Sequence, residues 1–133
     1  MTDTRLGQRH VRKDSLSAAT AQTAGMTRTA AISSSTCGSQ AIFMGETRVA
    51  PGTSSGPHHH GHSETGIYVV SGSPAFVYKE GAREVRVEAN PGDYVFVPPY
   101  EPHIEENPSP DEEAVVVIAR TTQEAIVVNL NVL

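Results

Sequence analysis

The sequence is short of cysteine, of basic residues and of long apolar runs, and each shortage removes a class of protein. Its single thiol, Cys37, closes no internal disulfide and is too isolated for a thiolate zinc site. The chain therefore reads as one from a reducing compartment, with Cys37 as a small filler. Lys and Arg number 10 against 15 Asp and Glu, a net charge of −5. No basic patch is available for phosphate contacts, which disfavours nucleic acid and, for the same reason, the anionic face of a membrane. The longest apolar stretches, Ala114 to Ala119 and Ala125 to Val128, fall far short of the ~20 residues that cross a bilayer. Arg5, Arg9, Arg12 and Lys13 precede a Ser/Ala/Thr-rich stretch that lacks an apolar centre, so a secretory signal is not expected and the cytoplasm is.

What is present fits one domain of 133 residues. Residues 14–36 contain 16 Ser, Thr or Ala among 23, with no sustained period of helix or strand. Residues 1–36 are expected to form a partly irregular N-terminal arm, anchored through Met26 and Ile32 and able to lie across a partner subunit. From Gln40 the texture changes to short runs of Val, Ile, Phe and Tyr between Gly, Pro, Asn and Asp, the mark of successive strands and turns. Strands are expected at 41–44, 46–49, 66–70, 75–79, 84–88, 93–97, 114–120 and 125–130. With almost no room for helix, the fold class is all-β, a sandwich or barrel over residues 37–133. Val115 to Ile118 are apolar at successive positions, as expected of a strand covered on both faces.

The chemistry concentrates in two places. Five of the six histidines lie in the segment Pro57-His58-His59-His60-Gly61-His62-Ser63-Glu64 or at His103. Imidazole is the commonest metal ligand near neutral pH. On a regular strand alternate residues share a face, so His58, His60, His62 and Glu64 would line one wall and His59 would face away. A divalent ion needs ligands converging from a second element, and His103, just after the Pro98-Pro99 corner, is the histidine left to supply one. Tyr100 is the candidate substrate contact or proton donor beside it. Arg48 is a possible cation for a carboxylate, although a surface position is expected of it. Asn107 is expected as a turn former. Glu105 and Glu106, with Asp111, Glu112 and Glu113, are expected to be a solvated acidic face.

Gly52, His58, His60, Glu64 and then Gly72 resemble the first motif of the cupin superfamily, and Gly92, Pro98, Tyr100, His103 and Asn107 resemble the second. The resemblance implies a jelly-roll barrel, the double-stranded β-helix, with metal ligands at His58, His60, His103 and Glu64. Two departures stand out. Tyr100 occupies a position where the second motif usually has glycine. Glu64 lies one residue further from Gly72 than the motif's usual glutamate, and counting back from Gly72 puts Thr65 there. The site is then either three histidines plus Glu64 at a bulge, or three histidines alone, which leaves Glu64 as a catalytic candidate with Tyr100.

The segments around both motifs also resemble small bacterial single-domain cupins and the cupin part of hydrazine-forming synthetases. That resemblance implies a metal-dependent enzyme acting on a small polar metabolite, with zinc or iron ahead of manganese or nickel. The reaction would be a rearrangement such as N–N bond formation, served by a separate ligase, or an iron-dependent dioxygenation. The competing expectation is a non-catalytic cupin that binds a metal or small ligand. A barrel of this size is expected to pair as a homodimer to cover an open edge.

Overall fold

The structure is a computed structural model that describes residues 9–20 and 22–133. Its strands are β1 (Met26–Ile32), β2 (Phe43–Val49), β3 (Thr53–Ser54), β4 (His58–His59), β5 (Thr65–Ser71), β6 (Ala75–Glu80), β7 (Arg83–Glu88), β8 (Tyr94–Val97), β9 (His103–Asn107), β10 (Ala114–Arg120) and β11 (Val128–Asn129). A one-turn helix, α1 (Ser34–Cys37), follows β1, its start capped by the Ser33 side chain accepting from the Thr36 amide. The strands form two antiparallel sheets, ordered β1-β2-β10-β5-β8 and β11-β4-β9-β6-β7, with β3 also on β9. This is the all-β architecture that the turn-rich, β-branched sequence implies, and the jelly roll that the resemblance of the two motifs implies.

Alternation along each strand sets which side chains face the interior. In β5, Thr65, Ile67 and Val69 are buried while Gly66, Tyr68 and Val70 are exposed. The same rule in β10 turns Val116, Ile118 and Arg120 inward, opposite Val69, Ile67 and Thr65. Along these strands the interior therefore changes character. One end is packed by Ile67, Val69, Phe76, Ala89, Val97 and Val116. The other is a cavity of about 460 Å³ reached by Thr65, Ile118 and Arg120.

Four expectations need correction. β2 runs unbroken through Gly45, where two separate strands are expected from the sequence. Gly45 stands opposite Ala30 of β1, and a Cβ there would lie 2.3 Å from the Thr29 carbonyl oxygen, so the glycine admits a close backbone rather than ending a strand. Residues 22–36 are less irregular than expected: β1 pairs with β2 over most of its length, and Met26 is buried with Val49 and Ala114. Ser17 and Thr23 bridge back to Ala30 and Met26, so this part of the arm folds onto its own sheet. Residues 1–8, which include Arg5, lie outside the described residues. The short strands β3, β4 and β9 have too few residues or too polar a sequence to announce themselves, and the C-terminal strand is confined to Val128–Asn129. The β6–β7 hairpin does form as expected, closed by Gly81 at positive φ and an Arg83–Glu80 ion pair.

Gly45→Ala is expected to destabilise the fold by about 1–3 kcal/mol, the range for overpacking against an unyielding neighbour. Urea denaturation of the variant beside wild type measures it.

Candidate metal centre

His58 and His103 are direct cross-strand partners on β4 and β9, with ring centroids 4.4 Å apart. His60 follows β4, its ring 4.9 Å from that of His58 and 5.0 Å from that of His103. One ligand atom from each of the three lies within 4.8 Å of the others, a convergence suited to a single ion.

Hydrogen bonding decides which nitrogen each ring presents. His58 Nδ1 lies 2.9 Å from the Gly56 carbonyl oxygen, His60 Nδ1 2.8 Å from that of Ile126, and His103 Nδ1 3.0 Å from that of Glu101. A carbonyl only accepts, so in all three rings Nδ1 carries the proton and donates. Each neutral ring then keeps its lone pair on Nε2, the arrangement that orients histidine ligands in metal sites. Burial keeps the rings neutral. It lowers the pKa of His58 and His60, and it lowers that of His103 to about 4, with the backbone hydrogen bonds opposing part of each effect. The residues present therefore fit a divalent ion with nitrogen ligands.

The structure brings Glu64 and His62 to neither this cluster nor the cavity, because both are exposed. The reason is the turn at Gly61-His62, with the Ser63 amide donating to the His60 carbonyl at 3.2 Å. That turn ends the strand alternation begun at His58, so from Ser63 onward the odd-numbered residues face inward. Thr65, 8% exposed, occupies the inward place that Glu64 would need, and the Glu64 amide is held outside by Thr121 Oγ1. His59 faces away, as expected, accepting from the Gly61 amide at Nδ1.

Tyr100 lies outside the cavity as well, 63% exposed, with its ring 5.9 Å from His59. Its backbone explains why glycine is usual at this position: φ is +61°, the left-handed region. The Tyr100 amide donates to the Gly61 carbonyl at 2.7 Å, so the strained residue ties the loop before His103 to the turn after His60. Asn107 is buried and holds a turn, donating to the Val49 and Glu112 carbonyls. Arg48 is at the surface, paired with Glu113 at 3.0 Å.

The charged groups that do reach the cavity were not singled out in the sequence for that role. Arg28 enters from β1, opposite Thr47. Arg120 enters from β10, its guanidinium 3.8 Å from the centroid of the Phe43 ring and donating to the Thr122 and Gln123 carbonyls. Glu105, expected in a solvated acidic face, points inward with His103, two residues before it on β9. Burial pushes its carboxyl pKa up, and the Arg28 charge opposes that shift. Its neighbour Glu106 faces outward to an ion pair with Arg86. The parity of His103 was the signal for Glu105; nothing local marked Arg28.

The two sheets form a jelly roll with one end packed and three histidines converging at the other. The Cupin domain family matches residues 45–119, more than half the chain, and the protein belongs to that family. No curated protein matches the sequence. Among solved structures the chain is similar to the polyketide cyclase RemF from Streptomyces resistomycificus, with 24% identity, a TM-score of 0.75, and 95% of this chain and 87% of that one covered. It is similar to Bacillus subtilis oxalate decarboxylase, studied for its Mn(II) centres, at 24% identity and a TM-score of 0.70, covering 83% of this chain and 29% of that one. Oxalate oxidase follows at 19% identity and a TM-score of 0.69, covering 86% of this chain and 59% of that one. These likenesses establish a shared fold.

Two expected outcomes test this geometry. Tyr100→Gly removes a left-handed tyrosine and is expected to stabilise the protein by about 1 kcal/mol, read from chemical denaturation. The histidines bind fewer protons folded than unfolded at mildly acid pH, because their folded pKa values are depressed below 6.5. The histidine contribution to the stability of metal-free protein should therefore be lost as pH drops from about 6.5 toward 4, against the opposite contribution of Glu105 and Glu101, whose carboxyl pKa values burial raises. His103→Asn should reduce that loss, as followed by thermal melting across the pH series.

Proposed function

We propose that this protein is a metal-dependent enzyme acting on a small polar metabolite, with His58, His60 and His103 holding one divalent ion in the barrel. The observation that carries the reading is the locking of all three Nδ1 atoms onto backbone carbonyls, which leaves Nε2 as the open ligand atom of each ring in a cluster of three histidines. A site for a passing solute has no need of such uniform orientation. The enzymatic nature of the similar structures supports the reading, and so does a cavity lined by both charged and apolar groups. Bound there, a divalent ion would act as a Lewis acid toward a carbonyl, carboxylate or hydroxylamine oxygen, or toward dioxygen were it iron.

The chain's own contribution is to hold the ligands neutral and to position the substrate between the histidines and the cavity arginines. Zinc would suit a rearrangement such as N–N bond formation, with a separate ligase supplying the activated ester, since only a Lewis acid is required. Iron would suit dioxygenation. Manganese and nickel are the remaining candidates.

Elemental analysis of untagged protein purified without added metal or chelator tests the reading. Near-stoichiometric metal is expected in wild type, lost in His60→Ala and retained in Glu64→Ala. Iron would direct assays to oxygen consumption and zinc to rearrangement. A wild-type protein that carries no metal and binds none on titration overturns the proposal. Metal whose removal changes only the melting temperature, with no turnover found, favours a binding cupin.

A further inference from the structure

The cavity holds two further polar groups whose bonding is incomplete, and they come from different sheets. Glu105 Oε1 is shut off from solvent and has no hydrogen-bond partner. A buried acceptor left unmet is costly, so such an atom points to a donor supplied from elsewhere. Arg28 is its complement. Of the guanidinium's N–H groups, one donates to Thr23 Oγ1 at 2.7 Å, and Nη2 lies 3.8 Å from Met26 Sδ, a weak contact. The remaining donors have no acceptor among the described residues. No ion pair joins Arg28 to Glu105, although each feels the other's charge. Arg120, by contrast, is committed to the Thr122 and Gln123 carbonyls.

We propose that Arg28 and Glu105 form a recognition subsite beside the histidines, selecting a small carboxylate that also carries a hydroxyl or amine. The planar guanidinium offers paired donors to the carboxylate, and Glu105 Oε1 accepts from the hydroxyl or amine. Glu105 stands two residues from His103 on β9, on the same face of the strand, so a molecule held there lies beside the histidines. A site built to pair a polar group rejects the analogue that lacks it, which makes Glu105 a specificity-determining residue. This substrate class deepens the metalloenzyme reading and rests on it for what becomes of the bound molecule, but not for the binding.

The test is calorimetric titration with acids paired to differ only in a hydroxyl, lactate against propionate and mandelate against phenylacetate. Wild type, Arg28→Gln and Glu105→Leu are titrated in metal-stripped and metal-loaded form, with metal content measured on the same samples. Wild type is expected to prefer the hydroxy acid of at least one pair by about tenfold, on the order of 1.4 kcal/mol, in both forms. Arg28→Gln should weaken both members of the pair, and Glu105→Leu should bind the two alike. The preference is a ratio within one protein, so a partial loss of folding does not imitate its disappearance. Arg28→Lys, which keeps the charge and loses the fork, replaces Arg28→Gln if that variant does not fold. The proposal is overturned if wild type binds neither acid, if Glu105→Leu keeps the preference, or if removing the Arg28 fork leaves affinity unchanged. Preference in a protein that takes up no metal upholds the subsite and removes the metalloenzyme reading. Metal uptake without preference does the reverse.

Discussion

Three hydrogen bonds from imidazole Nδ1 to backbone carbonyls organise the open end of this barrel. Their acceptors, Gly56, Ile126 and Glu101, come from three separate stretches of chain. Each carbonyl must be in place for its ring to present Nε2, so the site depends on the packing of all three stretches. The pairing of β4 with β9 places His58 against His103. The C-terminal segment reaches His60 through Ile126 and is held by β11 pairing on β4. The Tyr100 amide on the Gly61 carbonyl fixes the loop before β9 against the turn after His60. A change at any of these contacts alters the direction of a lone pair without touching a histidine.

The same strands serve two solvents. Toward one end the inward positions of β5 and β10 are Val69 and Val116, fully buried, and the apolar cluster there supplies the non-directional drive for closure. Two pleats away the inward positions are Thr65 and Arg120, which would be costly in that core. Arg120 is tolerated because it finds two carbonyls and an aromatic face. Arg28 and Arg120 thus share the cavity with one carboxyl, Glu105, and with the three histidines.

Much of the barrel was legible in the sequence because strand formation leaves local marks: β-branched runs, turn residues and alternation. The hairpin around Gly81 and the covered strand β10 both appear where those marks put them. The histidine triad was legible through spacing, since His58 and His60 share a face and His103 lies on a separate element. Where reading failed, a non-local contact had overruled a local signal. Gly45 looks like a break until the β1 backbone is seen against it. Glu64 has the parity of a ligand until the turn at Gly61-His62 resets the alternation. Glu105 reads as one of many surface acids, yet it shares the inward face of β9 with His103.

Strand periodicity and the spacing of the histidines, both properties of neighbouring residues, were enough for the all-β class and for pairing His58 and His60 with His103, and the two motifs pointed to the family by resemblance. Only the tertiary structure decided that Glu64 and Tyr100 lie outside the cavity and that Arg28 and Glu105 lie within it. Arg28 and Glu105 are 77 positions apart in the chain, and no local pattern couples them. They share the cavity because one strand from each sheet turns an inward position toward it, a juxtaposition set by strand order and register rather than by either residue's neighbours.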